Sequence, residues 1–140
     1  MPKLLLFAPC EKVLVDRTSN LVTLISLLQE LHYKLPPGMP TPSNFALPLS
    51  WAVLSLWQEE PSDGGIQFEQ KFVLENAAGV ALMENIAPWQ FTAANHRIIA
   101  NVMGLPVSRR LSLHLFYRIT GALDWIRAAT YPIEMVQDAL

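Results

Sequence analysis

The sequence predicts an all-β fold, a single antiparallel β-sandwich of about eight strands and of immunoglobulin-like or jelly-roll type. The first observation is that apolar and polar side chains alternate in several segments, which is the period of a strand with one buried face. The second is that the 11 prolines fall mostly between the apolar runs. Proline is poorly tolerated inside helices and central strands, so this spacing favours many short strands.

The central segment, residues 45–79, shows the alternation on both sides of a turn. In its second half Phe68, Phe72 and Leu74 alternate with polar residues, and residues 62–65 (Ser-Asp-Gly-Gly) supply a reversal. We therefore predict two strands joined by a tight hairpin turn, with one apolar face that a second layer must cover. In the first half the apolar phase contains Leu47, Leu49, Trp51, Val53 and Trp57.

The other strands follow from the same period and from turn residues. Pro88 interrupts one apolar run and marks it as an edge strand. Residues 1–136 are predicted to form the sandwich domain, and residues 137–140 a loose C-terminal tail. The predicted strands are residues 3–16 (bent near Pro9), 80–85, 86–92, 96–103, 111–119 and 124–135, the last with Trp125 in the phase of Tyr131, Ile133 and Met135.

Residues 21–35 are ambiguous. Their leucines and isoleucine fit helical spacing, and Asn20 could cap such a helix. A strand interpretation instead places Leu21, Ile25 and Tyr33 on one face. Periodicity favours the helix.

Residues 36–42 contain four prolines and are predicted to form a stiff, extended crossover between elements of one domain.

The composition of the chain limits which classes of partner it can bind. Hydrophobic residues make up 51% and charged residues 16%, and the formal net charge is −2. The charged share is below the usual value of about 25%, which leaves apolar surface for a protein partner or a second copy. Neither nucleic acid nor a membrane is expected as a partner. Cys10 is the single cysteine, which excludes an intrachain disulfide and fits a cytoplasmic location.

No motif predicts catalysis, a cofactor or a metal. His32, His96 and His114 are scattered, without the clustered spacing that metal sites usually show. Cys10 lies in an apolar strand, where a buried, inert thiol is the expected state. The sequence has neither a Gly-x-Ser-x-Gly motif nor a phosphate-binding loop. We expect a protein that is not an enzyme.

The chain has four tryptophans, and filling the core is the first expectation for each of them. Two are candidates for binding. Trp57 lies near a predicted strand end, and Trp89 is on the predicted edge strand beside Pro88. If exposed, Trp57 and Trp89 would form a binding face for sugar or protein.

Three segments together resemble an uncharacterised family of small bacterial β-sandwich proteins. The first is residues 10–16 followed by residues 21–25, the second is residues 101–106 (Asn-Val-Met-Gly-Leu-Pro), and the third is residues 129–135. The chain departs from the family pattern at residues 108–111. A glycine commonly precedes the penultimate strand there, and this chain has Arg109 and Arg110 instead. The resemblance implies a sandwich in which residues 21–35 are strand. It implies no catalytic residues.

Three functions are consistent with the sequence. The preferred one is a non-enzymatic β-sandwich that acts through protein–protein contact or self-association. The second is a ligand- or carbohydrate-binding sandwich that uses exposed Trp57 or Trp89. The third is a small hydrolase or metalloenzyme whose site is assembled across strands.

Overall fold

The computed structural model of the protein describes residues 1–34 and 45–138. The described residues contain nine strands and one short 3-10 helix, Pro61–Asp63, so the predicted all-β sandwich is confirmed with one strand more than expected. Residues 36–42, the predicted crossover, lie outside the described part. The strands are β1 (Lys3–Val15), β2 (Val22–Leu27), β3 (Glu30–Tyr33), β4 (Ala46–Gln58), β5 (Gln67–Glu75), β6 (Ala81–Gln90), β7 (Asn95–Pro106), β8 (Arg110–Ile119) and β9 (Ile126–Gln137).

The strands form two sheets that pack face to face. Sheet A has the order β2-β1-β4-β7, and sheet B has the order β3-β9-β8-β5-β6. All described pairs are antiparallel except β3 with β9, which is parallel. The edge position predicted for the Pro88 strand is confirmed, because β6 ends sheet B. Residues 80–85 and 86–92 were predicted as two strands, and the structure has one strand there, β6, from Ala81 to Gln90.

The core lies between the sheets and follows the alternation of the sequence. In β5, Phe68, Phe72 and Leu74 are buried, and in β4 the same is true of Trp51 and Val53. Such apolar burial is the main stabilising contribution, at about 25 cal/mol per Å². The buried cluster comprises Leu28, Trp51, Val53, Trp57, Phe68, Phe72, Leu74, Trp89, Phe91, Leu105, Leu111, Leu113, Leu115, Ile133 and Met135.

One polar side chain crosses the core. Gln70 of β5 is 2% exposed. Its Oε1 atom accepts a hydrogen bond from Ser55 Oγ at 2.7 Å and another from Trp57 Nε1 at 3.0 Å, both from β4. Buried polar groups that lose their partner cost about 1–3 kcal/mol each, so the three side chains depend on one another. They also fix the position of β5 across β4.

The predicted hairpin between β4 and β5 is wrong. The two strands belong to different sheets, and residues 61–63 between them form a 3-10 turn in which buried Asp63 accepts a hydrogen bond from the backbone N–H of Glu60 at 2.8 Å. The alternation of both strands is compatible with facing each other as well as with pairing side by side. The face-to-face arrangement is favoured because it buries the apolar side chains of β4 against those of β5.

Residues 22–27 and 30–33 are the strands β2 and β3. The strand interpretation that the resemblance implied is therefore confirmed over these residues, against the helical periodicity. Two other predictions need correction. Trp125 precedes β9 and does not share its inward phase. Gln137 still belongs to β9, and the backbone N–H of Asp138 donates to the carbonyl oxygen of Tyr33, so both residues are held by β3. Residues 139–140 lie outside the described part.

A third layer covers the outer face of sheet A. β1 pairs with β4 as far as Cys10 and with β2 from Cys10 to Val15. We call residues 11–27, the hairpin beyond this point, the arm. Arg97 of β7 donates to Asn20 Oδ1 at the tip of the arm, at 3.1 Å. A straight continuation of β1 would place this tip roughly 30 Å from Arg97, at about 3.3 Å per residue.

The arm therefore folds back across the outer face of sheet A toward β7, since the inner face is occupied by the core. The burial of Ala8, Cys10, Ala52 and Leu54 on that outer face has the same explanation. Ser26, near the base of the arm, has a φ of 56°, a left-handed conformation that side chains other than glycine rarely adopt. This residue marks the bend.

We expect Gln70→Ala to lower the free energy of unfolding by about 3 kcal/mol, because it opens a cavity and leaves Ser55 and Trp57 without their acceptor. Urea unfolding followed by tryptophan fluorescence measures the change. Gln67→Ala, at an exposed position of the same strand, is the control and should stay within about 0.5 kcal/mol of the wild type. Equal effects of the two substitutions would contradict the role assigned to Gln70.

Candidate functional site

The arm leaves two open grooves on sheet A. The groove at its base has a volume of about 420 Å³, and the groove at its tip about 620 Å³. The first groove is lined by Glu11, Lys12, Val13, Ser50, Trp51, Ala52, Asn101, Val102 and Met103. The second groove is lined by Asn20, Leu21, Val22, Leu56, Ala93, Ala94, Asn95 and Arg97.

Exposed apolar side chains gather on the arm. Leu21 at its tip is 69% exposed. The cross-strand pairs Lys12 with Ile25 and Leu14 with Thr23 share one face of the hairpin, whereas Val13 pairs with Leu24 on the opposite face. Val13 and Leu24 are the half-buried pair, so the face that holds Leu14 and Ile25 points away from sheet A. The exposed large apolar residues of the arm are Leu14, Val15, Leu21, Val22, Ile25 and Leu27.

Trp57 and Trp89, the candidate binding residues, are in the core. They are 0% and 5% exposed, and their rings stack on each other with centroids 5.1 Å apart. Filling the core, the first expectation for both tryptophans, is therefore confirmed. The exposure on which a binding face for sugar or protein depended is absent at these two residues. Phe68, Phe91 and Tyr117 complete this aromatic cluster. Trp89 Nε1 is buried without a hydrogen-bond partner.

Trp125 lies on the opposite side of the molecule, over the outer face of sheet B. The guanidinium carbon of Arg118 is 4.0 Å from the centroid of its ring, and the ammonium nitrogen of Lys71 is 4.6 Å from it. Cation–π contacts of this kind contribute about 0.5–1 kcal/mol each at exposed sites. The indole is thus held by the cations of β5 and β8, which the sequence pattern did not indicate.

The three histidines lie apart. His32 pairs with β9, His96 lies on β7 opposite Trp57 of the neighbouring strand β4, and His114 lies on β8. Within residues 1–34 and 45–138 no group of three or more His, Cys, Asp or Glu side chains is arranged to hold a metal ion. His114 is buried, although it lies on the face of β8 opposite to Leu113 and Leu115.

His114 connects a carboxylate and a hydroxyl. Its Nε2 atom is 3.1 Å from Glu75 Oε2, and its Nδ1 atom is 2.8 Å from Thr130 Oγ1. An acid–histidine–hydroxyl series can activate a nucleophile when donors for an oxyanion lie close by. Here β8 is paired on both sides, with β5 and with β9, so its backbone N–H groups are engaged in the sheet. We interpret the series as structural.

The environments of the other two histidines shift their pKa values in opposite directions. Asp138 Oδ1 lies 2.8 Å from His32 Nδ1 and raises the pKa of this imidazole, with a smaller effect from Glu30. Burial lowers the pKa of His96, whose ring stacks on Trp89 at an interplanar angle of 10°.

Cys10 is fully buried beneath the arm. Burial is the state expected of an inert structural thiol. Burial raises the pKa of its thiol, which lowers the fraction of reactive thiolate. The described part of the chain has no helix that could span a bilayer.

We expect NMR titration to give a pKa above 6.5 for His32 and one below 6.5 for His96. Because the folded pKa of His32 is raised, its contribution to stability is present below the unfolded pKa and disappears as the pH rises through the folded value. The contribution of His96 to stability changes with pH in the opposite direction. Because its folded pKa is lowered, the fold loses stability as the pH falls below the pKa of this histidine in the unfolded chain. Asp138→Asn should return the pKa of His32 toward 6.5 and leave that of His96 unchanged. A pKa of His32 that does not respond would contradict the assigned contact.

Comparison with known proteins assigns no family. A scan against protein-family models finds no match, and a search of curated proteins finds none either. The resemblance to small bacterial β-sandwich proteins therefore stays a prediction from the sequence, and the function is argued from the surface of the molecule.

Proposed function

We propose that the protein is a non-enzymatic β-sandwich that acts through protein–protein contact, and that its first partner is a second copy of itself. The single observation that carries this proposal is the arm, a hairpin whose outward face and tip expose apolar side chains. Contiguous apolar surface on a soluble domain is typical of a contact site.

The composition of the arm supports a contact role. Its four charged residues lie near its base and at its turn, at positions 11, 12, 16 and 17, and residues 18–27 contain none. Interfaces have few charged residues at their centre and are surrounded by a polar rim. Leu14, Ile25 and Leu27 would lose contact with water when a partner covers them. Residues 18–27 bring no charge to be desolvated, and Lys12, which pairs with Ile25 on the same face, would keep its ammonium group at the polar rim.

The energetics of the arm point the same way. A two-stranded hairpin alone is marginally stable in water at best. Here one side-chain hydrogen bond, between Arg97 and Asn20, ties its tip to sheet A, and Val13 and Leu24 provide its inward apolar contact. A partner that covers the outward face would add burial on the side where sheet A contributes none.

A second copy fits the charge of the chain. The formal net charge of −2 gives only weak repulsion between copies, and it offers no basis for nucleic-acid or membrane binding. The proposal includes a cytoplasmic location, which the single, buried Cys10 supports. It also keeps the resemblance to bacterial sandwich proteins as a family proposal.

We expect size-exclusion chromatography with light scattering to show a dimer or larger assembly at micromolar concentration. Leu21→Ser at the tip of the arm should weaken the association about tenfold or more, because a covered leucine contributes about 1.5–3 kcal/mol. Leu123→Ser is the matched control. Leu123 is 93% exposed on the turn between β8 and β9, two strands of sheet B, and its substitution should leave the association unchanged.

A clean monomer at high micromolar concentration would contradict self-association. Equal effects of the Leu21 and Leu123 substitutions would contradict the assignment of the contact to the arm. Thermal unfolding of each variant checks that the fold is kept, which we expect because both side chains are exposed.

A further inference from the structure

We propose that the second copy binds along the free edge of β7, antiparallel to it and centred on Ala100, so that the two four-stranded sheets become one continuous sheet. This inference rests on the proposed self-association and specifies its geometry. It commits to a second copy of this chain as the occupant of the edge.

Among the described strands, β7 is the least protected of the four sheet edges. β3 has 4 residues, β2 has 6 and lies within the arm, and β6 carries Pro88 and Glu84. β7 has 12 residues, no lysine, and no proline before its last residue. Proteins commonly shield sheet edges with short strands, charges or proline, because an edge is a template for pairing with another chain. β7 lacks these devices over most of its length.

The sequence of β7 is complementary to itself in the proposed register. Centring the pair on Ala100 uses the regular part of the strand from Arg97 to Met103, before the irregularity at Gly104, whose φ is 86°. It places Ile98 opposite the partner's Val102, and Arg97 opposite the partner's Met103. Arg97 is the one arginine or lysine of the strand, so no like charges of this kind oppose each other.

The same register brings exposed apolar groups together on the outer face of sheet A. Met103 is 73% exposed. In the pair it would lie beside Arg97 of the partner subunit, at the groove that this subunit's Leu21 also lines. The tip of the arm and the end of β7 would then cover each other across the two-fold axis. The apolar arm and the unprotected edge thus belong to one interface.

The charge at position 103 tests the register. Met103→Glu places a carboxylate opposite the partner's Arg97 at two symmetric sites, and Met103→Lys places an ammonium group there. We expect sedimentation equilibrium to show dimers about fivefold tighter for the Glu variant and about fivefold weaker for the Lys variant, since exposed charge pairs act weakly. The formal net charge of −2 alone predicts the reverse order, because the Glu variant is the more negative one.

A cysteine at the two-fold axis tests the centre of the pair. Directly opposed residues of antiparallel strands have Cα atoms about 4.5–5.5 Å apart, within the range of disulfides. Ala100→Cys should therefore form a disulfide-linked dimer under mild oxidation. Met103→Cys is the control, because two residues 103 would lie roughly 20 Å apart at about 3.3 Å per residue. Cys10 is buried and does not compete.

The outcomes separate this geometry from self-association itself. A monomer for the wild type overturns both proposals. Two results would overturn the β7 pairing in a protein that does form a dimer: equal effects of the two charges at position 103, or failure of the Ala100→Cys variant to cross-link. The dimer would then form through another surface or in another register. Opposite charge effects together with selective cross-linking at position 100 support the pairing.

Discussion

The fold depends on the contact between β4 and β5 across the interior. Each strand brings one apolar face, and the two faces exclude water only when the sheets lie against each other. Gln70 makes this contact specific, because its carbonyl oxygen is reached by Ser55 and Trp57 only in one alignment of the sheets. Aromatic stacking of Trp57 on Trp89 extends the same contact toward β6.

From this contact the position of the remaining elements follows. β8 and β9 extend sheet B beside β5, and β1 and β7 flank β4 in sheet A. β1 then runs out of pairing with β4 at Cys10 and continues with β2 alone. The arm is the result. It is built from β2 and from the part of β1 that does not pair with β4, and its amino acids leave apolar side chains on the outward face.

The sequence predicted the sandwich because period-two alternation reports directly which side chains share a face. In β5 it identified Phe68, Phe72 and Leu74 as inward residues, and the structure confirms their burial. Alternation does not say which strand lies across the core, so the tight hairpin between β4 and β5 was predicted wrongly. The helical spacing within residues 21–35 has another origin. Leu28 enters the core between two short strands, and the switch between sheets imitates a helical period.

The candidate surface could be predicted only in outline. Low charge indicated apolar surface, but its location depends on the path of the arm. That path is fixed by the bend near Ser26 and by the contact between Arg97 and Asn20, which are 77 positions apart in the chain. Trp57 and Trp89 failed as candidates for a related reason. The depth of a side chain in a sandwich depends on the residues across the core, and the aromatic cluster that includes Phe68 and Phe91 encloses both indoles.

Because Cys10 lies beneath the arm, the reactivity of its thiol reports whether the arm covers sheet A. Its sulfur is sealed between β1, β4 and the hairpin that folds over them, and a raised pKa keeps it protonated. An alkylating reagent would thus meet this atom only in molecules whose hairpin has lifted from the sheet, a local opening that needs far less free energy than global unfolding. Alkylation of Cys10 in the native protein would therefore measure how firmly the arm is attached to the sheet.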